Sequence, residues 1–136
     1  MSPLLALVAV GMLLVLASAV GVVLRVQDGR RRGGGDLRFD PADAEVELGS
    51  LATFVQFSTE MCTRCPQVRR ILDTIASADD RLAHIEVDLT HRPDLSQRYK
   101  VLQTPTTFLV DAAGNVRARF NGVPDRHALT EALAAV

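Results

Sequence analysis

The chain has no tryptophan, one tyrosine and only two cysteines among its 136 residues. Each scarcity excludes something. With so few aromatics there is no ladder of rings on which nucleic-acid bases would stack. Two cysteines are too few for a disulfide-stapled scaffold or a complete four-cysteine zinc site. Charge of one sign is lacking too. Fifteen Lys and Arg face sixteen Asp and Glu, for a formal net charge of −1, whereas a nucleic-acid protein carries a clear basic excess. A hydrophobic content of 48% excludes a mainly disordered chain, and the length suits one small domain.

The charges are also missing from one particular place. No Asp, Glu, Lys or Arg occurs before Arg25, and the run from Pro3 to Leu24 is uncharged throughout and mostly apolar. As a helix it measures about 33 Å, close to the roughly 30 Å of a bilayer core. A soluble domain this small cannot enclose such a helix. A cleaved signal peptide is the competing reading, since Ala17-Ser18-Ala19 resembles a small-residue cleavage site. Against it, no Lys or Arg precedes the run, and the apolar stretch continues beyond Ala19. The expectation is a transmembrane anchor over residues 1–24. Arg25, Arg30, Arg31, Arg32 and Arg38 lie just after it. The positive-inside bias then places the C-terminal domain in the cytoplasm, an extracytoplasmic domain being the alternative.

Residues 25–36 read as an Arg/Gly-rich linker, in which Gly33-Gly34-Gly35 is a flexible tether with nothing to pack. Residues 37–136 read as one α/β domain. Leu51 to Phe57 is short, apolar and β-prone, as a central strand buried on both faces would be. Val68, Ile71, Leu72, Ile75 and Ala76 recur at helical spacing. Leu82–Asp88 is a second strand, and Pro93–Tyr99 a short helix or turn. Thr106–Val110 and Val116–Phe120 form a hairpin around Gly114. Pro124 suits the first turn of a closing helix striped by Leu129, Ala132, Leu133 and Val136. Strand, helix and strand together imply a parallel βαβ unit.

Chemistry is concentrated in Met61-Cys62-Thr63-Arg64-Cys65-Pro66. A lone CxxC is half of a metal site, a structural pair or a redox dithiol. Its position between strand and helix favours the last. At a helix start, unpaired amides and the dipole stabilise a thiolate on Cys62, and Cys65 is one turn away. Two such thiols close into a disulfide with little rearrangement. Arg64 adds positive charge beside them.

Phe54-Val55-Gln56-Phe57, Cys62-Thr63-Arg64-Cys65-Pro66 and Thr104-Pro105-Thr106 before a strand together resemble the thioredoxin family, over roughly Leu51 to Val136. The resemblance implies a thioredoxin-like fold, a small central mixed sheet flanked by helices. It also implies a thiol–disulfide oxidoreductase that reduces or exchanges disulfides in protein substrates, drawing on an upstream thiol donor and needing no cofactor. Carried over residue by residue, Cys62 attacks, Cys65 resolves, and Pro105 follows a cis bond. Thr104, Pro105 and Met61 border the substrate, while Thr63, Arg64, Pro66 and Gln56 tune the cysteines.

The departures are specific. Gln56 stands where thioredoxins usually keep a buried aspartate, and an amide cannot act as a base. Met61 replaces an aromatic residue, and Thr-Arg replaces Gly-Pro between the cysteines. His84 lies where a lysine is frequent, though a half-buried strand histidine is the plainer expectation. His91 and His127 read as surface residues and Glu60 as solvated. The family's first strand and helix are hard to find between Leu37 and Ser50, which implies a shortened domain. Two other readings of the pair stand beside the catalytic one. A copper- or zinc-handling module would use both thiols as soft ligands. A non-catalytic thioredoxin-like interaction domain would keep the fold alone.

Overall fold

The computed structural model describes residues 2–136. The apolar run is helical from Pro3 to Gln27 (α1), extending the expected segment by about one turn. Ser2 caps it, and Pro3 sits at the first helical position, where a missing N–H costs nothing. No side chain of α1 is buried, so its apolar surface is covered by nothing in the chain.

Five strands form one mixed sheet in the order β1-β5-β4-β2-β3. They are β1 (Arg31–Arg32), β2 (Ala52–Ser58), β3 (Leu82–Asp88), β4 (Thr106–Asp111) and β5 (Val116–Asn121). β2 and β3 run parallel, with α2 (Cys65–Ser77) between them in sequence, and the remaining pairs are antiparallel. The expected βαβ unit and hairpin are both present. Every residue of β2 is buried, as its run of apolar residues requires of a strand covered on both faces.

The alternation of β2 sorts two cores. Ala52 and Phe54 face Val68 and Leu72 of α2 and Leu129 and Ala132 of α4 (Arg126–Ala134). Val55 and Phe57 face the other side. There Leu95 of α3 (Pro93–Arg98) joins Phe39, Tyr99 and Phe108. Gln56 shares the α2 side of the sheet with Phe54. Its side chain therefore lies under the start of α2.

Three local expectations are corrected. α2 begins at Cys65, with Arg64 as its cap residue, not at Cys62. Pro124 precedes α4 instead of opening it. Asp125 caps that helix, its carboxylate accepting from Ala128 N at 3.2 Å, because a carboxylate one residue later satisfies an amide that proline cannot. The tether is not free throughout: Arg31 and Arg32 pair with Phe120 and Arg119, and a Cβ on Gly34 would lie 2.0 Å from Val116 O, while Gly33 and Gly35 face open space as expected. Between Leu37 and Ser50 there is only one short 3-10 turn, Pro41–Asp43, and an Arg38–Asn115 bridge.

Candidate active site

Cys62 lies in the turn between β2 and α2, its N–H donating to Thr59 O at 3.2 Å. Cys65 is the first residue of α2. The two are joined as a disulfide, with Cα atoms 5.5 Å apart. Cys62 is half-buried and Cys65 is 2% exposed. That asymmetry separates the sulfurs chemically: an incoming group reaches Cys62, and Cys65 is reached only through it. Although α2 starts later than expected, both cysteines remain at its N-terminal end, where the first-turn amides lack helical acceptors.

Gln56 is fully buried and fully used. Its Nε2 donates to Cys65 O at 3.0 Å. A carbonyl only accepts, so the amide is fixed in that orientation and Oε1 faces the other way, 3.1 Å from His84 Nε2. His84 Nε2 therefore carries the proton of that bond. Nδ1 of the same ring lies 2.5 Å from Asp73 Oδ1 on α2. His84 is only 7% exposed at its side chain, Asp73 58%. A chain of polar groups thus runs from the solvent-facing Asp73 through His84 and Gln56 to the backbone of Cys65. Sequence reasoning identifies Gln56 and treats His84 as incidental. It misses Asp73, because nothing in the linear pattern of α2 shows that it faces His84 eleven residues on.

Arg64 donates to Asp28 Oδ2 at 3.0 Å, so much of its charge is matched by the residue that ends α1. Thr63 and Pro66 are exposed beside the pair. Met61 is 89% exposed. The Thr104–Pro105 bond is cis, and Thr104 Oγ1 lies 3.4 Å from Thr59 Oγ1, which ties this loop to the turn carrying Cys62. Pro105 has no N–H, and its carbonyl accepts from Gly122 N at 2.8 Å. That bond ties the cis-proline loop to the end of β5. His91 and His127 are exposed, as is Glu60. No group of three or more His, Cys, Asp or Glu able to hold a metal occurs among the described residues.

The thioredoxin family model matches residues 41–135. This chain belongs to the thioredoxin family. A curated relative, thioredoxin from Methanocaldococcus jannaschii, is 26% identical over 78 residues, covering 57% of this chain and 86% of that protein. Among solved structures, a mutant thioredoxin from Halobacterium salinarum superposes with a TM-score of 0.59 at 20% identity, covering 73% of this chain and 86% of its own. Thioredoxin from Trichomonas vaginalis gives 0.53 at 24% identity, covering 64% and 80%. The distant structural matches establish the fold. The family match, together with the bonded Cys62–Cys65 pair, makes the thioredoxin-like domain a thiol–disulfide oxidoreductase. α1 precedes the matched region and is long and apolar enough to cross a membrane, with a mean hydropathy of 2.8 in its best window.

Proposed function

We propose that this chain is a membrane-anchored thiol–disulfide oxidoreductase that reduces or exchanges disulfides in protein substrates. The observation that carries the reading is the unequal exposure of two bonded cysteines, Cys62 half-buried and Cys65 closed off. In the reducing direction the Cys62 thiolate attacks a substrate sulfur, and the substrate's other sulfur leaves as a thiolate. Cys65 then attacks Cys62 in the mixed disulfide, releasing the reduced substrate and closing the Cys62–Cys65 bond. A thiol donor outside the chain resets the pair. Thr104, Pro105 and Met61 border the bound substrate. Thr63, Arg64, Pro66 and Gln56 set how readily the cysteines ionise.

Anchoring rests on the length, composition and complete exposure of α1. Arg25 and Arg30 to Arg32 at its end favour a cytoplasmic domain. The test is reduction of insulin disulfides by the full chain in detergent. Wild type is expected to turn over with dithiothreitol as donor, and Cys62→Ser is expected to fall to the uncatalysed rate. Equal rates for the two proteins contradict the catalytic reading and leave a binding domain.

A further inference from the structure

The end of α1 is built into the domain beside the cysteines. Asp28 closes the helix and bonds Arg64, which lies between Cys62 and Cys65 in sequence. Gly29 N donates to Asn121 O at 2.7 Å, and Gly29 O accepts from Asp125 N at 3.1 Å. A Cβ on Gly29 would meet Val123 O at 2.3 Å, so the chain passes there in a fit that only glycine allows. The Arg64–Asp28 pair is half exposed, and an ion pair in that setting is weak by itself. The backbone bonds of Gly29 and the β1–β5 pairing hold the junction, with the ion pair beside them. Leu24 and Gln27 then share a cleft of about 440 Å³ with Arg64 and Gln103.

This geometry fixes a depth. Leu24 is the last residue of the uncharged run, and Asp28 is about 6 Å further along the helix axis. The headgroup layer on each side of a bilayer is of similar thickness, about 5–8 Å. The Arg64 guanidinium, and the cysteine turn with it, is thereby held at headgroup level. Two further observations agree. Among the described residues outside α1, Met61 and Leu102 are by far the most exposed large apolar side chains, at 89% and 96%, and each lies in a loop bordering the site. Arg25 and Arg32 line the same cleft as Arg64, with Asp28 as its one acid. That leaves an excess of positive charge facing the approach along the membrane.

We infer that the redox partner of Cys62 is a membrane-embedded protein whose reacting cysteines lie at the lipid–water boundary on an acidic loop. This rests on the membrane-anchored reading of α1. Exposed apolar side chains at the site suit a partner that is itself partly in the apolar layer, and the arginines suit its acidic loop. Starting from the disulfide present here, a thiolate of the partner's dithiol attacks Cys62 Sγ. The Cys62–Cys65 bond breaks and its electron pair leaves on Cys65, which takes up a proton. The partner's second thiolate attacks its own sulfur in the mixed disulfide and expels Cys62. Cys62 leaves as a thiolate, so one disulfide and one dithiol have exchanged with two electrons transferred to this chain, and the proton on Cys65 comes from solvent.

The test uses the full chain in phosphatidylcholine vesicles. The probe is an acidic peptide with two cysteines, coupled to a phosphatidylethanolamine headgroup through either a short or a long spacer. Both probes are used at the same surface density; because the longer spacer lowers the effective concentration by itself, the wild-type ratio is read relative to that of a variant whose domain is freed from the anchor. On that scale the wild-type disulfide is expected to be reduced about fivefold or more faster by the short-spacer probe. A Gly-Ser insertion of about twelve residues between Gln27 and Asp28 frees the domain by about 20 Å while preserving Asp28 and Gly29. That variant is expected to lose all preference beyond the spacer's own effect. Equal rates with both probes for the retained wild-type chain overturn the inference, as does a wild-type ratio that survives the insertion unchanged. A chain stripped from vesicles by alkaline carbonate instead removes the anchor itself, a separate and distinguishable failure.

Discussion

Gln56 shows how much chemistry one substitution relocates. A buried carboxylate at this position would accept protons; the amide instead donates to Cys65 O and accepts from His84. Replacing Gln56 by Leu leaves His84 Nε2–H without an acceptor in a dry place, and a stability loss of about 1–3 kcal/mol is expected in urea titration. Gln56→Asp supplies a base under Cys65. If the missing acid limits the wild type, rapid-mixing experiments should show faster breakdown of the Cys62 mixed disulfide. An unchanged rate means that another group already takes the proton. Glu86 offers a pH-dependent counterpart. Hydrogen bonds from Arg69 at 2.5 and 2.6 Å hold its carboxyl below the ordinary value of 4.5, partial burial opposes that, and the Ser58 hydroxyl adds to it. Because the folded value is lower than the unfolded one, the stabilisation is complete above 4.5 and is lost as pH falls through the lowered value. With both partners partly exposed it amounts to about 1 kcal/mol or less. Wild type should therefore exceed Glu86→Gln in stability at neutral pH and match it in strong acid.

At the scale of elements, the strongly patterned segments are legible in the sequence and the junctions less so. β3 has the bounds that its residues imply, and the stripe of α2 packs Val68 and Leu72 into the core. Leu72→Ala should cost about 2–5 kcal/mol, read as a lower urea midpoint with little change in slope. The start of α2 is marked less by the CxxC, which carries no cap signal of its own, than by the proline after it. Arg64 makes no side-chain capping bond, but Pro66 fits the first turn of a helix that begins at Cys65 and would break the interior of one that begins at Cys62. Gly34 departs from expectation for a different reason. Glycine is equally at home in an open tether and where backbone passes close to backbone, and only the tertiary contact of Gly34 with Val116 O decides between them. Gly34→Ala should loosen β1 from β5 and speed amide exchange there without altering that of β2.

For the molecule as a whole, the sequence conveys the fold, the reactive pair and the apolar helix, since each is marked by local composition or spacing. It does not convey how they are joined. The Asp28–Arg64 contact spans 36 residues, and the Asp73–His84–Gln56 chain connects three elements; neither leaves a periodic trace. Both surround one claim, that Cys62 and Cys65 open and close reversibly. The most direct measurement is equilibration of the full chain across a series of reduced-to-oxidised glutathione ratios, followed by acid quenching, alkylation and mass spectrometry. The account predicts a reversible two-electron transition between the Cys62–Cys65 disulfide and the doubly alkylated dithiol, approached identically from either side. A pair that stays fully reduced under oxidising ratios, or that once oxidised is not reopened by excess thiol, contradicts it.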